Sequence, residues 1–318
     1  MPDAPVELVP VDGVELTTLV DNTIDALLAS TERVRRAPRD PVMGGPKSRL
    51  RAEHGFSMLV TVLKDGARQS LLFDAGLTAD CLVHNADILE MTGADLRAIV
   101  LSHGHGDHTM GLVGMLQRRG RRRLPLVIHP GAFRTRRLVF PDGREVRLPP
   151  PSRADLAAEG IEVVERQMPS YLLDDSVLVT GEVPRVTPFE QGFPGHQVEV
   201  DGRWAPDPWI HDDQAIVMNV RGKGLVVLTG CGHSGVINIL TQAVSLTGES
   251  RLHAVLGGFH LTGGAFDPLI PDTVDRLKSF GPAVVVPAHC TGWKATHAIA
   301  REMPQAFVPN SVGTTFIV

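Results

Sequence analysis

The chain has only three cysteines in 318 residues, Cys81, Cys231 and Cys290, widely spaced and odd in number. Such a set builds no disulfide framework and suits a reducing compartment. No stretch approaches the roughly 20 apolar residues a membrane-spanning helix needs. The opening MPDAPVELVP has neither the basic region nor the apolar core of an export signal, so the expected location is the cytoplasm. Internal repeats and low-complexity linkers are missing. Gly-x-Ser-x-Gly is absent, since GHSG at 232–235 lacks its spacing, and so is Gly-x-x-x-x-Gly-Lys-Ser/Thr. Those absences argue against a serine nucleophile on an elbow and against a phosphate-binding P-loop. A net charge of −5 gives no general pull toward nucleic acid or acidic membranes. Without an appended binding domain, nucleic acid is not an expected partner. Nor is there a flavin-binding domain that would support a redox role.

What is present is an ordinary globular composition, 43% hydrophobic and 21% charged. Short apolar runs rich in β-branched residues predict strands over 15–20, 57–64, 70–73, 98–102, 125–129, 161–165, 176–180, 215–220, 225–229, 253–256, 283–287 and 314–318. Helical periodicity predicts helices over 24–36, 79–91, 108–119, 155–159, 236–246, 273–280 and 294–302. Strands mixed with helices in this way imply a layered α/β architecture, read as one domain over 1–318. Two segments rich in proline and glycine, 36–51 and 184–213, are expected to be loops over the site.

The chemistry concentrates in residues 98–111, AIVLSHGHGDHTMG. An apolar strand ends at Ser102, a turn containing Gly104 and Gly106 follows, and an amphipathic helix opens near His108. His103 and His105 alternate and project to one side, with Asp107 and His108 at the helix start. Four candidate ligands thus converge within six residues. Crowding them together with no ion to satisfy them would be costly. Imidazole and carboxylate suit Zn²⁺, Mn²⁺ or Fe²⁺.

This H-x-H-x-D-H pattern after an apolar strand resembles the signature of metallo-β-lactamase-fold hydrolases. The segments VELTTLVDN (14–22), RAEHGFSMLV (51–60), LLFDAG (71–76), TGEVPR (180–185), LTGCGHSGVINI (228–239), GGFHL (257–261) and PAHCTG (287–292) resemble one branch of that superfamily. The branch includes an archaeal 7,8-dihydropterin-6-methyl-4-(ribofuranosyl)aminobenzene-5′-phosphate synthase. The fold implied is an αβ/βα four-layer sandwich, two facing mixed sheets flanked by helices, with one or two divalent ions at one edge. Zinc is the expected metal, with manganese or iron as the alternatives. In the superfamily, one ion is held by the first two signature histidines and a later histidine. The other is held by the aspartate, the third histidine and a histidine near the C-terminus.

His289, closing the apolar run 283–288, fits the C-terminal ligand. Where the superfamily usually ends a strand in Gly-Asp, this chain has Gly230-Cys231 and then His233. His233 is expected to replace the missing mid-chain histidine, because TGEVPR occupies the usual place; Glu182 is a weaker candidate. Cys231 is either a thiolate ligand or an inert neighbour. His260, after Gly257 and Gly258, is a candidate proton donor by analogy, and Asp107 a catalytic as well as ligating carboxylate. Asp74 is expected to orient a ligand histidine. His54, Arg134, Arg137 and Glu182 are candidate substrate contacts, the arginines being suited to a phosphate or carboxylate. His129, His196, His211, His253 and His297 are read as structural or surface residues. The basic run 118–123 is read as a solvated helix end.

A metal held by neutral imidazoles activates water without a protein nucleophile. The expected activity is hydrolysis of a small anionic ester, lactone or phosphodiester. The alternatives are a transferase of the pterin-synthase kind and a non-catalytic metal-binding sensor, with a small anionic molecule as the expected partner.

Overall fold

The computed structural model describes residues 7–38, 49–91, 95–119 and 123–318. With strands numbered along the chain, the largest sheet has the order β2 (Val34–Arg35), β18 (Thr315–Ile317), β1 (Gly13–Val20), β3 (Ser57–Lys64), β4 (Ala67–Phe73), β5 (Leu96–Val100), β6 (Pro125–Ile128), β9 (Glu162–Glu165). A second sheet has the order β10 (Ser170–Leu172), β11 (Val177–Val179), β14 (Ala215–Val220), β15 (Gly224–Thr229), β16 (Leu252–Gly258), β17 (Val284–Ala288). Both are mixed. Strands β4, β5, β6 and β9 run parallel in the first, and β15, β16 and β17 in the second.

Strict alternation along the strands builds the layers. Ala98 and Val100 of β5 point into a core shared with Ile216, Met218, Val226, Leu228, Leu256 and Val286 of the second sheet. Their neighbours Ile99 and Leu101 point the other way, onto α1 (Ala79–Ile88) and α3 (Gly111–Arg119) through Leu82, Leu112 and Leu116. Val217, Val227, Val255 and Val285 likewise cover α5 (Val236–Thr247), α6 (Ile270–Phe280) and α7 (Trp293–Glu302). Strands buried on both faces read as nearly unbroken apolar runs, as these do. Each such fully buried side chain contributes about 1.5–3 kcal/mol. The polar chemistry is therefore displaced to the edge where the parallel strands end.

Three expectations change. The segment 24–36 is not a helix. Leu27 is 76% exposed, Asp25 N donates to Ser311 Oγ, and Val34–Arg35 adds to the sheet edge beside β18. Tertiary partners for the backbone outweigh weak helical periodicity there. The helix expected over 108–119 starts at Gly106 and is divided at Met110 into α2 (Gly106–Thr109) and α3. The segment 184–213 is not wholly loop. It carries β12 (His196–Val200) and β13 (Arg203–Pro206), which join β7 (Arg136–Val139) and β8 (Glu145–Leu148) in a third, four-stranded sheet. Most of the loop expected over 36–51, residues 39–48, lies outside the described residues, as do residues 120–122 of the basic run. No helix among the described residues is long and apolar enough to cross a membrane.

Candidate metal centre

Strands β4, β5, β15, β16 and β17 all end at one edge, and each hands a polar residue to it: Asp74, the turn 103–108, Cys231 with His233, His260 and His289. Crevices at the carboxyl ends of parallel strands are where α/β sheets bind ligands. Local sequence makes the approach possible. A Cβ on Gly104 would come within 2.8 Å of the Ala132 backbone, and one on Gly230 within 2.6 Å of Asp74 Oδ2. His289 (φ 48°), His260 (φ 44°) and Asp74 (φ 58°) all adopt the left-handed region, which costs on the order of 1–3 kcal/mol each.

The structure gathers these side chains into two adjoining pockets. In the first, His103, His105 and His233 offer nitrogens within 4.8 Å of one another. The His103 ring centroid is 4.5 Å from that of His105 and 4.8 Å from that of His233. In the second, His108 Nε2 is 3.2 Å from His289 Nε2, and Asp107 Oδ2 is 3.7 Å and 3.2 Å from those two nitrogens. Ligands bound at about 2.0–2.2 Å to one tetrahedral ion stand roughly 3.3–3.6 Å apart, so the spacing of the second pocket fits a divalent ion.

The hydrogen bonding fits too. Asp74 accepts from Ser102 N (2.7 Å) and Ser102 Oγ (2.8 Å), and sits 2.7 Å from His108 Nδ1. A carboxylate oxygen accepts, so His108 Nδ1 donates to Asp74 and Nε2 is the ring atom that faces the pocket. Ser102 Oγ, its own proton given to Asp74, accepts from His103 Nδ1 at 2.9 Å. That leaves His103 Nε2 as a free lone pair. Among the described residues, His103 Nε2, His105 Nε2 and both ring nitrogens of His233 are buried with no hydrogen-bond partner. Such a group costs about 1–3 kcal/mol when left unpaired, and a bound cation would offset that cost.

Electrostatics separate the pockets. Burial, reinforced by the neighbouring histidines, holds His103 and His233 well below the ordinary imidazole range. Burial also lowers His105 to about 4, so all three are neutral near pH 7. Burial opposes charge on His108 as well, but Asp107 and Asp74 outweigh it and raise that group to about 9. Burial would raise Asp107, yet His108 and His289 hold its carboxyl far below the usual range.

The remaining expected residues divide. His54 stands at the exposed mouth, 3.5 Å from Asp107 and with its ring 5.0 Å from that of His289. His260 flanks the first pocket, 4.2 Å from the His233 ring, against Phe266 and Phe193. Cys231 is buried beside both pockets. Arg134 and Glu182 line a separate cleft of about 450 Å³ with His129, Gln167 and His211, where His211 Nδ1 is 2.7 Å from Glu182. Glu182 is therefore not gathered with the ligand histidines. Arg137 is placed elsewhere: its guanidinium donates to Gln197 and Glu145 and stacks over Trp204 in the third sheet. The alternation of β7 explains this, since Arg136 takes the inward position.

Several residues at the site had no local signal. His196, read as structural, stacks on His105 with centroids 5.1 Å apart. Arg136 is buried between Asp207 and Asp212, and Asp212 also accepts from Gly104 N at 2.9 Å, bracing the histidine turn. Asp21 accepts from His289 N (2.9 Å) while Asn22 donates to His289 O (3.0 Å), clamping that residue across the two sheets. These partners lie 71 to 268 residues apart along the chain, beyond the reach of spacing rules.

Comparison with known proteins agrees with this architecture. The profile described as metallo-beta-lactamase superfamily matches residues 51–241. The chain is 27% identical over 267 residues (83% of this chain, 89% of the relative) to 7,8-dihydropterin-6-methyl-4-(beta-D-ribofuranosyl)-aminobenzene-5′-phosphate synthase of Methanocaldococcus jannaschii. It is 32% identical over 255 residues (79% and 88%) to an uncharacterised protein of the same organism. A crystal structure described as a metal-dependent hydrolase of the beta-lactamase superfamily superposes with a TM-score of 0.71 at 25% identity, covering 95% of this chain and 98% of that one. Unliganded yeast PDE1 shares the fold at a TM-score of 0.55 and 10% identity, covering 98% and 100%. The profile spans more than half of the sequence and the relatives span most of it, and on that basis the chain belongs to the metallo-beta-lactamase superfamily.

Proposed function

We propose that the protein is a metal-dependent hydrolase acting on a small anionic ester, lactone or phosphodiester. The observation that carries this reading is the pair of adjoining pockets at the strand ends, one lined by buried nitrogens of His103, His105 and His233 without partners, the other a convergence of His108, His289 and Asp107 within 3.7 Å. His103, His105 and His233 would hold one ion, and Asp107, His108 and His289 a second; zinc suits the histidine-rich set best. When bound, such ions polarise a substrate oxygen and supply a water acidic enough to lose its proton near neutral pH.

The chain's own residues do the rest. Asp107 sits between His54, His108 and His289, placed to hold a water proton and fix its direction. Asp74 keeps the ligating faces of His108, and through Ser102 of His103, turned inward. His260, with Nδ1 buried and its ring between Phe266 and His233, is the group we assign to deliver a proton to the leaving oxygen. Arg134, exposed in the separate cleft that it lines with His129 and Glu182, would meet the charged end of a substrate long enough to reach it.

A second reading is favoured by one finding, the similarity to the dihydropterin phosphate synthase across 83% of this chain. Under it the same centre would serve a synthase reaction. Purified protein incubated with bis(p-nitrophenyl) phosphate, with a lactone and with the pterin and aminobenzene phosphate pair, each with and without chelator, separates the two. Chelator-sensitive hydrolysis restored by zinc supports the first reading. Turnover of the pterin pair alone replaces it with the second, and turnover of nothing by metal-loaded protein leaves a metal-binding sensor.

A further inference from the structure

We propose that Cys231 is a ligand shared by the two pockets, a single thiolate sulfur lying between both ions. The inference rests on the metal centre described above and adds the donor that joins its halves. Cys231 follows β15 in the turn Gly230-Cys231-Gly232 and is 4% exposed. Its sulfur and the nearest ring nitrogens of His103 and His108 all lie within 4.8 Å of one another. The same is true of Cys231 with His233 and His260, and of Cys231 with His289 and Cys290. His103 and His233 belong to the first pocket, His108 and His289 to the second. One sulfur therefore neighbours ligands of both; His103 also stands near His108, but with Nδ1 held by Ser102 it has a single nitrogen to give, whereas a thiolate sulfur has lone pairs for two ions.

The surroundings leave the sulfur little freedom. Any side chain at Gly230 would meet Ser102 and Asp74. On the other side, a Cβ at Gly258 would stand 2.7 Å from Cys290 Sγ and 3.2 Å from Cys231 Cα. Cys290 directs its thiol hydrogen at the Cys231 carbonyl oxygen, 3.2 Å away, so it pins the Cys231 backbone and is not itself offered as the shared donor. A thiolate carries the same single charge as a carboxylate but is soft and binds zinc at about 2.3 Å. The centre should then prefer zinc, cobalt or cadmium to manganese or magnesium. On ion binding the thiol gives its proton to solvent and the sulfur lone pair forms the bond to metal.

Cobalt(II) titration of the whole chain tests this by absorption spectroscopy rather than turnover. The wild type should bind two equivalents and show visible d–d bands together with a near-ultraviolet sulfur-to-cobalt charge-transfer band. Cys290→Ser should keep that band. Cys231→Ser should lose it and weaken zinc binding by more than about tenfold. Cys231→Asp should retain two ions without the band and shift selectivity toward manganese, which also shows that the site still folds. Two bound cobalt ions with d–d bands but no charge-transfer band, or a band that survives in Cys231→Ser, would overturn the shared thiolate while leaving the histidine pockets standing. A wild-type chain that binds no cobalt would overturn both.

Discussion

The two pockets differ in charge although one short turn supplies ligands to each. The first is built from His103, His105 and His233, which burial keeps neutral, so it presents imidazole lone pairs and no charge of its own. The second contains Asp107 and rests on Asp74, and those carboxylates outweigh burial at His108. An all-imidazole pocket selects for metals that accept nitrogen, whereas a carboxylate widens the choice toward harder ions. The pockets are also braced differently. The first leans on the third sheet, through Arg136, Asp212 and Gly104 N. The second leans on the N-terminal strand, through Asp21, Asn22 and His289. Electronic character and mechanical support are thus separable by substitution.

The largest effect is expected on the first pocket's brace. Asp212→Ala leaves the buried Arg136 with only Asp207 and should cost about 3 kcal/mol in urea unfolding, since one partner of a buried ion pair is gone. At saturating zinc the surviving fold should lose the ion of the first pocket before that of the second. Equal loss of both would erase the distinction between the braces.

Asp74→Ala should instead weaken both pockets together, by about 10–100-fold in zinc affinity, because Asp74 orients His108 directly and His103 through Ser102. Competition titration with a zinc-chelating dye reads each step. A change confined to one step would show that the Ser102 link carries no orientation.

Asp21→Ala should affect the second pocket alone, lowering its zinc affinity by about tenfold, as His289 N and Asn310 lose their acceptor. Burial raises Asp21 to about 6, so the group is already costly to ionise and is not expected to add much global stability. A drop in first-pocket affinity would contradict its assignment.

The smallest effect concerns Glu190, which accepts from Ile237 N (2.9 Å) and Asn238 N (2.8 Å) at the start of α5 and anchors the segment that leads to Phe193 and His196. Burial raises its carboxyl from 4.5 to about 7. Between those values the folded protein holds more protons on this group than the unfolded chain, so its contribution makes stability fall as pH rises through that window. Glu190→Gln should flatten that part of the stability profile in denaturant titrations from pH 4.5 to 7. An unchanged slope would show that Glu190 is not buried as described.

Much of the layer structure was legible because doubly covered strands announce themselves as apolar runs, as at 215–220, 225–229 and 283–287. The turn 103–108 and the strand-terminal His289 were legible for the same reason, since each closes such a run. The third sheet was not. Its strands are four or five residues long and read RRLV, EVRL, HQVEV and RWAP, with charges, a proline and little apolar alternation. Reading 184–213 as loop hid His196, and treating Arg137 as the exposed partner of a substrate ignored that β7 fixes which arginine faces inward. Asp21 and Asp212 were invisible because their partners are distant in sequence and lie on other elements.

That two ions sit side by side at this edge is tested most directly by anomalous diffraction from crystals grown with zinc. Two peaks are expected, one bonded to His103, His105 and His233 and one to Asp107, His108 and His289. A map from zinc-replete, correctly folded protein with one peak or none among these side chains would contradict it.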